Sequence, residues 1–120
     1  MQTKQQALQK LKRSKFRSSF HLKEKDKAYV REKGMETIQR HAEEIIRKRL
    51  APAEITNDGK QTPMKGHPVF IAQHATGCCC RGCLRKWYRV PEHTELNEQQ
   101  ISRITGLLMA WIEEEMKGSG

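Results

Sequence analysis

All four cysteines of this 120-residue chain fall between Cys78 and Cys83, and three of them are contiguous. Thiols so close together cannot knit a disulfide framework. A bridge needs two Cα atoms ~5.5 Å apart, and pairing within so short a run closes strained loops that staple nothing. They can, however, converge on one ion. Cys80-Arg-Gly-Cys83 has the C-x-x-C spacing that turns two thiolates toward a tetrahedral zinc, and His74 supplies an imidazole just upstream. The expected ligands are therefore Cys80, Cys83 and His74, with Cys79 or His67 in the fourth position. His67 is conditional. Pro68 favours the first position of a helix with His67 as its N-cap, and a continuous helix from 67 to 74 would separate the two histidines by ~10.5 Å along the axis.

Composition explains why such a chain would use a metal. Hydrophobic residues make up 36% and aromatics only 6% of the sequence, so the core is small and a metal crosslink would add stability that burial alone supplies thinly. Cysteines in this arrangement suit a reducing compartment, and no apolar run has the length of a secretory or membrane-spanning segment, so a cytoplasmic, membrane-free protein is expected. No Asp or Glu occurs between Gly59 and Arg89, which leaves no nearby base for a catalytic zinc and ranks a structural zinc above it. The rival use of the same residues is thiol redox chemistry at Cys80 and Cys83, but the β-α-β pattern of a thioredoxin-like fold is absent.

The periodicity is helical wherever it is regular, so the fold class is all-α, a small helical domain carrying a knuckle-like Cys/His module and a long central loop. A first helix over 24–33 stops at Gly34. A second, over 35–50, aligns Met35, Ile38, Ala42, Ile45, Ile46 and Leu50 on one face. Turn residues from Pro52 through Asn57-Asp58-Gly59 to Gly66 mark the loop, whose position next to the cysteines suggests that it covers the site. A helix from Pro68 ends at Thr76-Gly77, and a short one follows the knuckle to about Arg89. The last helix opens with Asn97 as N-cap and Gln100 at the third position. It carries the stripe Ile101, Ile104, Leu107, Leu108, Trp111, Ile112 and Met116, which packs on the 35–50 helix or forms a homodimer seam.

Charge is lopsided. Seven of the 23 basic residues lie in 1–23 without a single acid, whereas the other 16 face all 14 acids. Residues 1–20 read as a basic, flexible arm, residues 21–117 as the helical domain and residues 118–120 as a tail. Nucleic acid is the partner class this charge suggests, met by Lys12 and Arg13 on the arm and by Arg81, Arg85, Lys86 and Arg89 around Trp87 and Tyr88. The competing view makes Trp87 a core anchor and those cations its wet face.

The string His67-Pro-Val-Phe, Gln73-His74-Ala-Thr, Cys79-Cys80-Arg-Gly-Cys83-Leu and Lys86-Trp87 is preceded by Asp58-Gly-Lys-Gln-Thr-Pro-Met. It is followed by a helix ending Met109-Ala-Trp111-Ile. Over about Ser14 to Met116 this resembles a family of small bacterial proteins known only as a domain of unknown function. The resemblance implies a bacterial protein and supplies no activity. It also implies a histidine after the tryptophan, where this chain has Tyr88, so no fourth metal ligand carries over from it. The expectation is a metal-stabilised binding module.

Overall fold

In a computed structural model, which describes residues 3–55 and 62–117, six α-helices follow one another. They are α1 (Lys4–Lys12), α2 (Glu24–Lys33), α3 (Met35–Arg49), α4 (Pro68–Thr76), α5 (Arg81–Tyr88) and α6 (Glu98–Lys117), with a single 3₁₀ turn at Arg17–Ser19 between α1 and α2. The described residues contain no strand. The protein is an all-α domain, as the periodicity predicts.

The boundaries have local causes. Gly34, with φ 86°, separates α2 from α3 in a conformation that an L side chain rarely takes. Pro68 sits at the first position of α4, where its missing N–H costs nothing, and His67 is the N-cap. Asn97 and Gln100 form a reciprocal box at the start of α6: the Gln100 N–H donates to Asn97 Oδ1 at 2.8 Å and the Asn97 N–H to Gln100 Oε1 at 2.9 Å.

α6 packs along α3 and α4, and α4 also meets α1, α2 and the 3₁₀ turn. Ile38, Ala42 and Ile46 of α3 and its C-cap Leu50 join Ile101, Ile104, Leu107, Leu108 and Ile112 of α6 around Val69 and Ala72 of α4. The α6 stripe is thus covered within the chain. Every residue of α4 except Phe70 is buried. A helix buried on all sides must place its polar side chains deliberately: Thr76 donates to Ala72 O and Gln73 to Cys78 O, while the buried Gln73 Oε1 has no hydrogen-bond partner among the described residues.

The N-terminus is the main departure from expectation. The segment read as a flexible arm holds α1, closed by a Thr3–Gln6 capping box, and buries Ala7, Leu8 and Leu11. Its physical fastening comes from the far end of the chain. Lys12 pairs with Glu114 at 2.7 Å, and Glu115 accepts the Leu22 N–H at 2.9 Å. Two members of the acidic run Glu113-Glu114-Glu115, which in sequence looks like a solubilising face, therefore tie down the basic N-terminus, while Glu113 pairs with Lys117. The expected tail at 118–120 and the turn at 57–59 lie outside the described residues.

Arg81 is a second correction. Expected on a nucleic-acid face, it is 2% exposed. Its guanidinium donates to the carbonyls of Leu50 and Pro52 behind α3, at 3.3 and 3.0 Å, and to those of Pro91 and Thr94 ahead of α6, both at 2.7 Å. Periodicity cannot distinguish a buried arginine from a wet one when the helix is only eight residues long. Removing this side chain leaves four acceptors without their charged donor. Arg81→Ala is expected to cost about 3–5 kcal/mol in urea unfolding, whereas Lys86→Ala should stay within about 0.5 kcal/mol.

Candidate metal centre

The site is built where α4 stops and α5 starts. Gly77, with φ 73°, ends α4 in the left-handed region, and a Cβ there would stand 2.7 Å from Trp87 Cδ1. Only glycine serves this position, because both the turn and the tryptophan demand it. The chain then reverses, with the Cys78 N–H returning to Gln73 O at 2.8 Å. Cys80 becomes the N-cap of α5, its Sγ accepting the Cys83 N–H at 3.4 Å. Such N–H···S contacts orient a sulfur and favour its thiolate form.

The sulfurs of Cys79, Cys80 and Cys83 all lie within 4.8 Å of one another. Three thiolates on a tetrahedral ion with ~2.3 Å bonds stand about 3.8 Å apart, so the three cysteines are near enough to hold a metal ion. Cys79 and Cys83 are hydrogen-bonded across 3.5 Å. That contact and the adjacent Arg17 guanidinium hold the Cys79 thiol below its ordinary value, while the same contact and burial push the Cys83 thiol up. Cys78, the remaining thiol, is fully buried beside the Thr76 carbonyl and pushed up to about 12 by that burial. It behaves as a small core residue.

Neither histidine joins the three sulfurs among the described residues. The His74 Nε2 lies 3.1 Å from the carbonyls of Thr62 and Pro63, and its ring stacks on Phe20 with centroids 5.5 Å apart. Those carbonyls accept only from a protonated nitrogen, so Nε2 carries the proton and Nδ1 is the one ring nitrogen left with a lone pair for a metal. His74 anchors the end of the central loop. Thr62 adds to the anchor by donating to Cys79 O at 2.7 Å, and in this respect the loop does reach the site. His67 is more remote from the thiols in role. The Val69 N–H donates to its Nδ1 at 3.0 Å, which leaves its proton on Nε2, 3.1 Å from His41 Nδ1. The capping hydrogen bond occupies the lone pair a metal would need.

Arg17 is the residue the sequence concealed. It is 9% exposed and donates through Nη1 to His74 O at 2.7 Å and to Cys79 Sγ at 3.6 Å. Its Nη2 donates to Cys83 Sγ at 3.2 Å. Within a run of lysines and arginines nothing marked it out, save that Phe16 and Phe20 flank it with helical spacing. Tyr88, standing where the family resemblance implies a histidine, donates its hydroxyl to Thr76 O, and burial pushes its pKa up. It supports the wall behind Cys78 and is no ligand.

Of the cations expected on a nucleic-acid face, Arg85 pairs with Glu92 at 2.7 Å and Lys12 with Glu114, while Arg13, Lys86 and Arg89 are exposed. Lys10 places its ammonium 5.9 Å from the centre of the Trp87 ring, which brings the N-terminal helix against α5. Trp87 is half-buried.

Metal content separates the thiols. Cys79→Ser, Cys80→Ser and Cys83→Ser should each lower bound metal at least tenfold in elemental analysis, and Cys78→Ser and His67→Asn should retain it. His67 also sets a pH dependence. Burial first, and then His41, lower its pKa from 6.5 to about 4. The unfolded chain therefore takes up this proton before the folded chain does. Stability is complete above pH 6.5 and falls as pH drops toward 4, by about 1–2 kcal/mol at pH 5 once partial exposure is discounted. Urea midpoints at pH 7 and pH 5 measure this. His67→Asn, which keeps a capping side chain, should remove most of the difference, and an undiminished slope would assign it to another group.

No helix among the described residues is long and apolar enough to cross a membrane. No solved structure matches the chain. A family model described as a domain of unknown function, DUF4186, matches residues 5–113. That span takes in all but the first residue of α1, all the cysteines, Arg17, Arg81 and most of α6, and the chain belongs to this family.

Proposed function

We propose that the protein is a zinc-stapled module that binds nucleic acid, with single strands the preferred form. Zinc is the ion that three thiolates at a turn-to-helix junction select in a reducing compartment. Its role is to brace, because Cys79, Cys80 and Cys83 sit where two short helices meet and no carboxylate occurs in the surrounding sequence from Gly59 to Arg89.

The nucleic-acid reading is carried by the contact between Lys10 and Trp87. It joins two basic segments far apart in the chain, the one with exposed Lys10 and Arg13 and the one in which exposed Lys86 and Arg89 stand close in sequence to a half-buried indole. Cations that neutralise phosphates beside an aromatic face on which a base can stack form the ordinary chemistry of strand binding.

Purified protein is expected to carry about one zinc per chain and to lose helicity when a chelator removes it. Retention on single-stranded DNA should fall steeply with salt. Lys10→Ala, Arg13→Ala and Arg89→Ala should each reduce the slope of log K against log salt by about 0.7, as expected for one lost contact to a single-strand phosphate. Lys12→Ala, whose ammonium is engaged by Glu114, should have the smaller effect. Salt-insensitive retention, or variants indistinguishable from the parent, would remove nucleic acid as the partner.

A second reading has one observation in its favour. The Cys79 and Cys83 sulfurs, four residues apart in the chain, are in hydrogen-bond contact at 3.5 Å. If the chain were a dithiol protein, metal-free samples would oxidise readily at that pair, as counting alkylated thiols before and after mild peroxide would reveal.

A further inference from the structure

We propose that Arg17 is the counter-ion of the tri-cysteine centre and that, through it, metal binding docks the N-terminal helix and so assembles the Lys10–Trp87 face. This inference rests on the zinc reading above. A guanidinium taken out of water needs either a set of carbonyl acceptors, such as Arg81 has, or an opposite charge. Among the described residues no carboxylate lies within ion-pair distance of Arg17; its guanidinium lies 5.1 Å from the centre of the Phe16 ring, and its hydrogen-bond acceptors are one carbonyl and the sulfurs of Cys79 and Cys83. The sulfurs are therefore where its counter-charge resides. Three neutral thiols leave the buried group with a net charge of plus one. A dication held by three thiolates carries minus one, and with Arg17 the whole cluster becomes neutral.

The mechanical consequence follows from chain order. α1 has only nine residues, too few to be stable alone in water, so its helicity depends on docking. Between α1 and α2 the chain is pinned at Arg17, on the 3₁₀ turn, directly against the metal-binding thiols. The positioning of Lys10 over Trp87 lies upstream of that pin. Without the metal, the pin loses the charge that holds it, and α1 loses its nearest buried polar anchor.

Hydrogen exchange on the full chain under reducing conditions, zinc-loaded and then stripped by a chelator, reads α1 and α6 separately. Stripping should speed α1 exchange about tenfold while α6 keeps its protection. Arg17→Gln should show fast α1 exchange even when loaded, and its zinc affinity, by competition with a chromophoric chelator, should fall about tenfold. Arg17→Lys, which keeps the charge but not the fork, should fall between. Equal α1 protection with and without zinc, as a lone Cys79 thiolate could provide, overturns the coupling and leaves the zinc centre standing. So does Arg17→Gln with unchanged affinity and protection. Loss of α6 protection together with α1 makes the effect global unfolding and overturns the local link, and a chain that binds no zinc overturns both readings.

Discussion

The guanidinium of Arg81 is the brace on which the rest of the molecule depends. It gathers carbonyls from the chain leaving α3 and from the chain entering α6, while its own backbone starts α5. Helices α3 and α6 supply most of the apolar contact, but apolar packing is non-directional and would tolerate sliding. Four charge-assisted hydrogen bonds from one planar group fix how the cysteine-bearing turn sits against that core. A lysine could not replace it, because a single ammonium has neither the spread nor the fixed geometry to reach four carbonyls from two segments.

Around this brace the knuckle is arranged by backbone necessity. Gly77 must turn left-handed under Trp87, Cys80 must cap α5, and the position three residues on then brings Cys83 back toward Cys79 and Cys80. The thiols are gathered by one tight turn and one helix start, both local features. What lies around them is long-range: Arg17 from the N-terminus and Thr62 from the end of the central loop.

That division explains how far the sequence could be read. The helices from Glu24 to Lys33, from Met35 to Arg49, from Pro68 to Thr76 and from Glu98 onward announce themselves through periodicity and caps, which are encoded within a few residues. The three thiols of the candidate centre are legible for the same reason. That His67 and His74 stand outside the three-sulfur group is not legible, because an imidazole near cysteines looks like a ligand whatever its hydrogen bonds, and those bonds depend on His41 and on the loop carbonyls of Thr62 and Pro63. Arg17 and Arg81 were illegible because sequence charge does not record burial. Each owes its place to partners ten or more residues away, as does α1, whose Leu8 and Leu11 give too short a stripe to outweigh seven neighbouring positive charges.

The carboxylates near the end of α6 have a bearing on how the chain closes. Glu114 and Glu115 hold Lys12 and the Leu22 amide, the two sides of the Arg17 turn. The thiols are gathered by their own turn and helix start, but the segment that carries Arg17 is held at both of its ends by α6. α6 thus works as a latch, fastening the chain on either side of the one guanidinium that touches the sulfurs.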